Sequence, residues 1–116
     1  MVVLGGGSSG IGLSTAKAFL DQSAQVIISS RSNSKLSEAK QVLGGNVEAY
    51  EIDFRSEEKA TDFFSRFGKF DHLVVTGGEG TMGYFSELPV ASAKEAFDSK
   101  FWGQYITVPR CTSLLK

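Results

Sequence analysis

Gly6, Gly10 and Gly12, with Ser8, Ser9 and Ile11 between them, are the first residues whose types and spacing point to chemistry. They follow the apolar run Val2-Val3-Leu4 and precede a helical pattern. A turn from a buried strand into a helix needs backbone angles that a β-carbon obstructs, and a pyrophosphate must approach its main chain closely. The amides that open the helix, with the helix dipole, then attract the anion. Glycine-rich turns also join strands to helices without any ligand, so the bare pattern is weak. Its context is stronger: a second strand follows about 20 residues on, as a dinucleotide-binding unit requires. A P-loop is excluded, because no lysine precedes a serine or threonine here to bind magnesium.

A second group lies at the end of that next strand, Ser29-Ser30-Arg31-Ser32. NAD binders usually place a carboxylate there for the ribose 2′-hydroxyl, whereas NADP binders place arginine near the extra phosphate. No carboxylate is in reach, and Arg31 offers a planar fork of donors suited to a phosphate. Ser30 and Ser32 add hydroxyls, and Lys35 reaches from the following helix. Arg31 could also be a solvated strand-end residue; the pattern favours NADP(H) over NAD(H).

Other chemistries fall away. One cysteine, Cys111, and one histidine, His72, rule out an internal disulfide and argue against a protein-built zinc site. His72 sits within a strand pattern and reads as a packing or surface residue. Glu57 and Glu58 are adjacent on a helix and point apart, which suits solvation rather than paired-carboxylate chemistry. Phe63, Phe64 and Phe67 lack interleaved basic residues and read as core, not as a nucleic-acid stacking platform.

The elements that must position these groups alternate. Val2-Val3-Leu4 reads as a strand buried on both faces. Leu13, Ala16, Phe19 and Leu20 mark a helix ending near Asp21. Gln25 to Ser29 is a second strand. Leu36, Ala39 and Leu43 mark a second helix, with Ser34 as N-cap and Gly44-Gly45 as its stop. Val47 to Ile52 is a third strand. Ser56 caps a third helix striped by Ala60, Phe63, Phe64 and Phe67 and closed by Gly68. His72 to Thr76 is a fourth strand, and a second glycine cluster occupies residues 77–83. Ser92-Ala93-Lys94-Glu95 reads as a capping box for a last helix with the stripe Phe97, Phe101, Tyr105 and Val108, kinked or ended by Pro109. The pattern predicts an α/β fold: a Rossmann-like doubly wound parallel sheet of about four strands with helices on both faces.

At 116 residues, with 41% hydrophobic and 22% charged residues, residues 1–116 read as one folded domain. The net charge of −1 gives no field toward nucleic acid or an anionic membrane. No apolar run approaches spanning length, and the start lacks the features of a signal peptide. The expected location is cytoplasmic.

Residues 5–12 resemble the T-G-x-x-x-G-I-G signature of short-chain dehydrogenases/reductases, with Gly5 in place of the threonine, and the resemblance extends across the whole chain. It implies that Asp53-Phe54 is the aspartate-plus-apolar pair that holds the adenine ring. It also implies that Val75-Thr76-Gly77-Gly78 replaces an N-N-A-G segment, keeping the glycine but losing both asparagines. The family's chemistry uses a serine, a Tyr-x-x-x-Lys pair and a helical asparagine. No Tyr-x-x-x-Lys occurs here, since Phe54, Leu88 and Pro109 lie four residues beyond Tyr50, Tyr84 and Tyr105. The asparagine position aligns with Lys100, either an exposed helix lysine or a working residue of a divergent subgroup. Relatives are roughly twice as long. The expectation is therefore a fragment, a truncated reading frame, or a chain that oligomerises through an exposed sheet edge or its last helix. The function expected is the NADP(H)-binding portion of an oxidoreductase, inactive alone; the rival is a non-catalytic nucleotide-binding, regulatory or structural module.

Overall fold

Alternation of apolar residues with period two splits each strand between two helical layers. In the computed structural model, which describes residues 1–78 and 80–116, the strands are β1 (Val2–Gly5), β2 (Val26–Ser30), β3 (Val47–Glu51) and β4 (His72–Val75). They form one parallel sheet in the order β3-β2-β1-β4. Val2, Leu4, Val26 and Ile28 face helices α1 (Gly10–Asp21) and α2 (Asn33–Leu43), packing on Ala16, Leu36 and Ala39. Val3 and Ile27 face the opposite side, against Phe63 and Phe64 of α3 (Glu57–Ser65) and Cys111 of α5 (Gly103–Cys111). The sheet is doubly wound, as the alternation predicts.

Register brings the strand ends level. Gly5 stands opposite Ser29 of β2 and Val75 of β4. The turns leaving β1, β2 and β4 therefore open at one edge, where the crossovers diverge to opposite faces, the usual place for a ligand in an open α/β sheet.

Several local expectations are corrected. The N-cap of α2 is Ser32, whose hydroxyl accepts the Lys35 amide; Ser34 instead bonds the Ser32 hydroxyl at 3.0 Å. Ser56 does cap α3, but the helix ends at Ser65 with Arg66 as its C-cap, and not at Gly68, so Phe67 lies past its end. The last helical stretch is α4 (Val90–Phe97), a π-helical turn (Asp98–Trp102) and α5. Its N-cap is Pro89, so Ser92 lies inside the helix and forms no capping box. Pro109 is accommodated within α5, which runs on to Cys111. The bulky stripe is not the buried one: Phe97, Phe101, Tyr105 and Val108 are 45–65% exposed, whereas Gly103, Thr107 and Cys111 are buried. Close packing against α3 and the sheet selects the small residues.

Candidate functional site

The glycine turn is shaped by contacts that leave no room for side chains. Gly6 adopts φ +95°, and a β-carbon there would lie 2.4 Å from the Gly77 nitrogen. A β-carbon on Gly12 would lie 2.1 Å from the Gly6 carbonyl oxygen and 2.6 Å from Thr76 Oγ1. Gly6 and Gly7 amides donate to the Ser29 carbonyl, while Thr76 and Gly77 amides donate to that of Gly5. The turns after β1 and β4 are thus joined backbone to backbone. Thr76 Oγ1 also reaches the Gly5 and Gly6 carbonyls at 3.3 Å, so the segment without asparagines retains a side-chain link. Ser9 is the N-cap of α1 but makes no side-chain cap bond, unlike Ser32 and Ser56. The first intrahelical-type bond is Leu13 N–H to Ser9 C=O, which leaves the opening amides directed outward as an anion acceptor.

The β2 and β3 ends supply charge. Arg31 and Lys35 are exposed, and Ser32 is half-buried at the start of α2. Across from them, Asp53 is held by Arg55, with Nη2 at 2.8 Å from Oδ2 and Nε at 3.0 Å from Oδ1. That bonding holds the Asp53 carboxyl below its usual value against the opposing effect of partial burial, and the Arg55 amide and the charge of Arg31 act in the same direction as the guanidinium. The Phe54 ring turns inward, stacking on Phe64 and meeting Phe63 edge-on, so it floors the region from below.

These parts line one cleft of about 470 Å³, within the usual range for a small-molecule site. It is bordered by Gly6, Ser8, Ser9, Gly10, Ile11 and Gly12 from the first turn, Arg31 and Ser32 from the second, Asp53 and Phe54 from the third, and Gly77 and Gly78 from the fourth. All twelve residues picked from the sequence as cofactor-binding therefore meet there. Lys100 does not line it. Its side chain is exposed and lies along the second glycine cluster, with Cγ 3.0 Å from where a Gly78 β-carbon would be and Cε 3.4 Å from that of Gly80; position 79 of the cluster is outside the described residues. Neighbouring Ser99 borders the cleft instead, with Gly103, Gln104 and Thr107.

A family model described as short chain dehydrogenase matches residues 1–116. The chain belongs to the short-chain dehydrogenase family. It is similar to the uncharacterized oxidoreductase YxnA of Bacillus subtilis strain 168, 33% identical over an alignment of 110 residues that covers 89% of this chain and 31% of YxnA. Its fold matches a short-chain dehydrogenase/reductase from Vibrio parahaemolyticus with a TM-score of 0.91 at 21% identity, covering 97% of this chain and 55% of that one. ElxO with NADP bound matches with a TM-score of 0.86 at 24% identity, covering 97% and 48%. The chain thus spans about a third to a half of the relatives it matches.

Sequence reading missed Arg55, Thr76, Ser99, Gln104 and Thr107 as cleft residues. Arg55 sits two residues beyond Asp53, a spacing compatible with a side-chain pair, and that was the available signal. Thr107 had none, because its hydroxyl bonds the Gly103 carbonyl at 2.6 Å as any helical threonine does. Among the described residues, no group of three His, Cys, Asp or Glu could hold a metal, and no helix is long and apolar enough to cross a membrane.

Proposed function

We propose that this chain is the NADP(H)-binding portion of a short-chain dehydrogenase that interconverts carbonyl and alcohol groups. The observation that carries the reading is the single cleft in which the glycine turn and Arg31 meet. The residues fit the cofactor. The side-chain-free floor at Gly6 and Gly12 lets a diphosphate approach the amides opening α1. Asp53 and Phe54 border the adenosine side. Arg31, Ser32 and Lys35 form a basic, hydroxyl-bearing rim for a 2′-phosphate. Gly77 and Gly78 leave the β4 end open for the nicotinamide, which when bound supplies or accepts hydride. The NADP held by ElxO is in keeping with this choice. Residues 1–116 contain no Tyr-x-x-x-Lys, so the role assigned to them is binding and orientation of the cofactor.

Calorimetry with NADPH and NADH tests the reading. The chain is expected to bind NADPH in the micromolar range and NADH more weakly, and to reduce no member of a ketone panel. Replacing Arg31 with Ala should weaken NADPH binding about tenfold or more, by loss of charge-assisted phosphate bonds, and leave NADH little changed. Absence of heat with both nucleotides, or a preference for NADH, would overturn it.

A further inference from the structure

Among the described residues that line the cleft, Asp53 is the one carboxylate, facing the same rim as Arg31 and Lys35. Unpaired, it would repel a phosphate drawn to that rim, because like charges at close quarters oppose binding and narrow the choice of ligand. It is not unpaired. Arg55 Nε reaches its two oxygens at 3.0 and 3.2 Å, Nη2 reaches Oδ2 at 2.8 Å, and the Arg55 main-chain amide donates to Oδ1 at 3.0 Å. The two side chains are only 34% and 29% exposed, so water screens the pair incompletely. A fork-shaped grip of this kind fixes direction as well as charge.

We infer that Arg55 is a specificity-determining positioning residue: by holding Asp53 in an ion pair it cancels the carboxylate's charge on the rim and allows a 2′-phosphate there. The inference rests on the NADP(H) reading above. Arg55 acts through Asp53, and the charge at this pair sets the preference between the two nucleotides. The pair is neutral in the wild type, negative in Arg55→Ala, positive in Asp53→Asn, and neutral again in the double variant.

The test is calorimetric titration of all four proteins with NADPH and with NADH at low ionic strength, alongside thermal melts. Arg55→Ala should weaken NADPH about tenfold while NADH stays within about threefold, since only NADPH carries the additional phosphate charge. Asp53 also borders the adenosine side, which both nucleotides share, so the readout is the ratio of NADPH to NADH affinity. Asp53→Asn should keep or raise that ratio, and the double variant should restore the wild-type ratio. Equal losses for both nucleotides in Arg55→Ala, or a double variant whose NADPH-to-NADH ratio stays as low as that of Arg55→Ala, would overturn the inference and leave Arg55 a structural residue. If Arg55→Ala does not fold, Asp53→Asn alone decides: weaker NADPH binding with NADH unchanged overturns it. Failure of the wild type to bind NADPH, or its preference for NADH, refutes the NADP(H) reading and the inference with it, a result distinct from a failed charge series on a protein that selects NADPH.

Discussion

A single methyl group separates the glycines that the turn requires from those it tolerates replacing. Gly12→Ala would drive its β-carbon into the Gly6 carbonyl and Thr76 Oγ1, and the two backbones meeting there have no free space to yield. A destabilisation of about 1–3 kcal/mol is expected from such overpacking, with loss of nucleotide binding. Gly10→Ala meets nothing within 4 Å and faces only the penalty of its φ of +52°. Its cost is expected to be about 1 kcal/mol. Thermal melts of the two variants check the order, and a Gly10→Ala loss equal to that of Gly12→Ala would contradict it. The same residues mark what sequence can convey. Glycine, arginine and aspartate at informative spacings were legible because backbone conformation and ligand charge restrict those positions to few residue types. Arg55 was not, since an arginine two residues past an aspartate looks like any surface charge until the turn curls it back. Lys100 aligned with a functional position; its stem lies against Gly78, which borders the cleft, and against Gly80, while its own side chain is not part of the lining.

Helix α3 holds one side of the sheet through two devices that can be separated. Ser56 accepts the Lys59 amide at its start, and Phe64, 1% exposed, stacks between Phe54 and Phe70 in its middle. Ser56→Ala is expected to cost about 1 kcal/mol. Phe64→Ala should cost about 3–5 kcal/mol, because the cavity it leaves is walled by other rings. Urea denaturation measures both, and a Phe64→Ala loss no larger than that of Ser56→Ala would refute this account of α3. The element types and their order were legible in the sequence because each apolar stripe had the period of its own element. The last stretch was not. Its large apolar residues lie at helical spacing on the wrong face, and the buried face is built from Gly103, Thr107 and Cys111, which hydrophobic periodicity does not weigh. The π-helical turn over Asp98–Trp102 leaves no compositional mark either. Ser34 and Ser32 were equally good caps on type alone, and only the course of the chain out of β2 decides between them.

Taken whole, the molecule is less closed than its length allows. Its radius of gyration is 14.8 Å, against about 13 Å for a compact domain of this size. The open side is specific. β1 and most of β2 are buried, but Leu73, Val74 and Val75 of β4 are half-buried at the sheet edge. Phe101, Trp102 and Tyr105 pack on one another while remaining about half exposed. Beyond the Phe70–Leu115 bridge, the outer edge of β4 pairs with no strand among the described residues. Such an edge and an exposed aromatic cluster both favour association. Sizing and light scattering of the 116-residue chain should therefore show concentration-dependent self-association. Phe101→Ser with Tyr105→Ser should reduce it and leave the melting temperature nearly unchanged, since neither ring supports the core. A monomer at every concentration would contradict this expectation.

The contact of Gly6 with Gly77 also bears on how readily such a site could be redesigned. Its floor is main chain against main chain, so substitution there offers little short of damage. The rim is different: exposed Arg31 and Lys35 and half-buried Ser32 lie on the turn and helix start after β2, and half-buried Arg55 lies on the turn after β3. A designer, or natural drift, can exchange rim residues a few at a time while the foundation stays untouched. New nucleotide preferences are then reachable by short mutational paths that never pass through an unfolded protein.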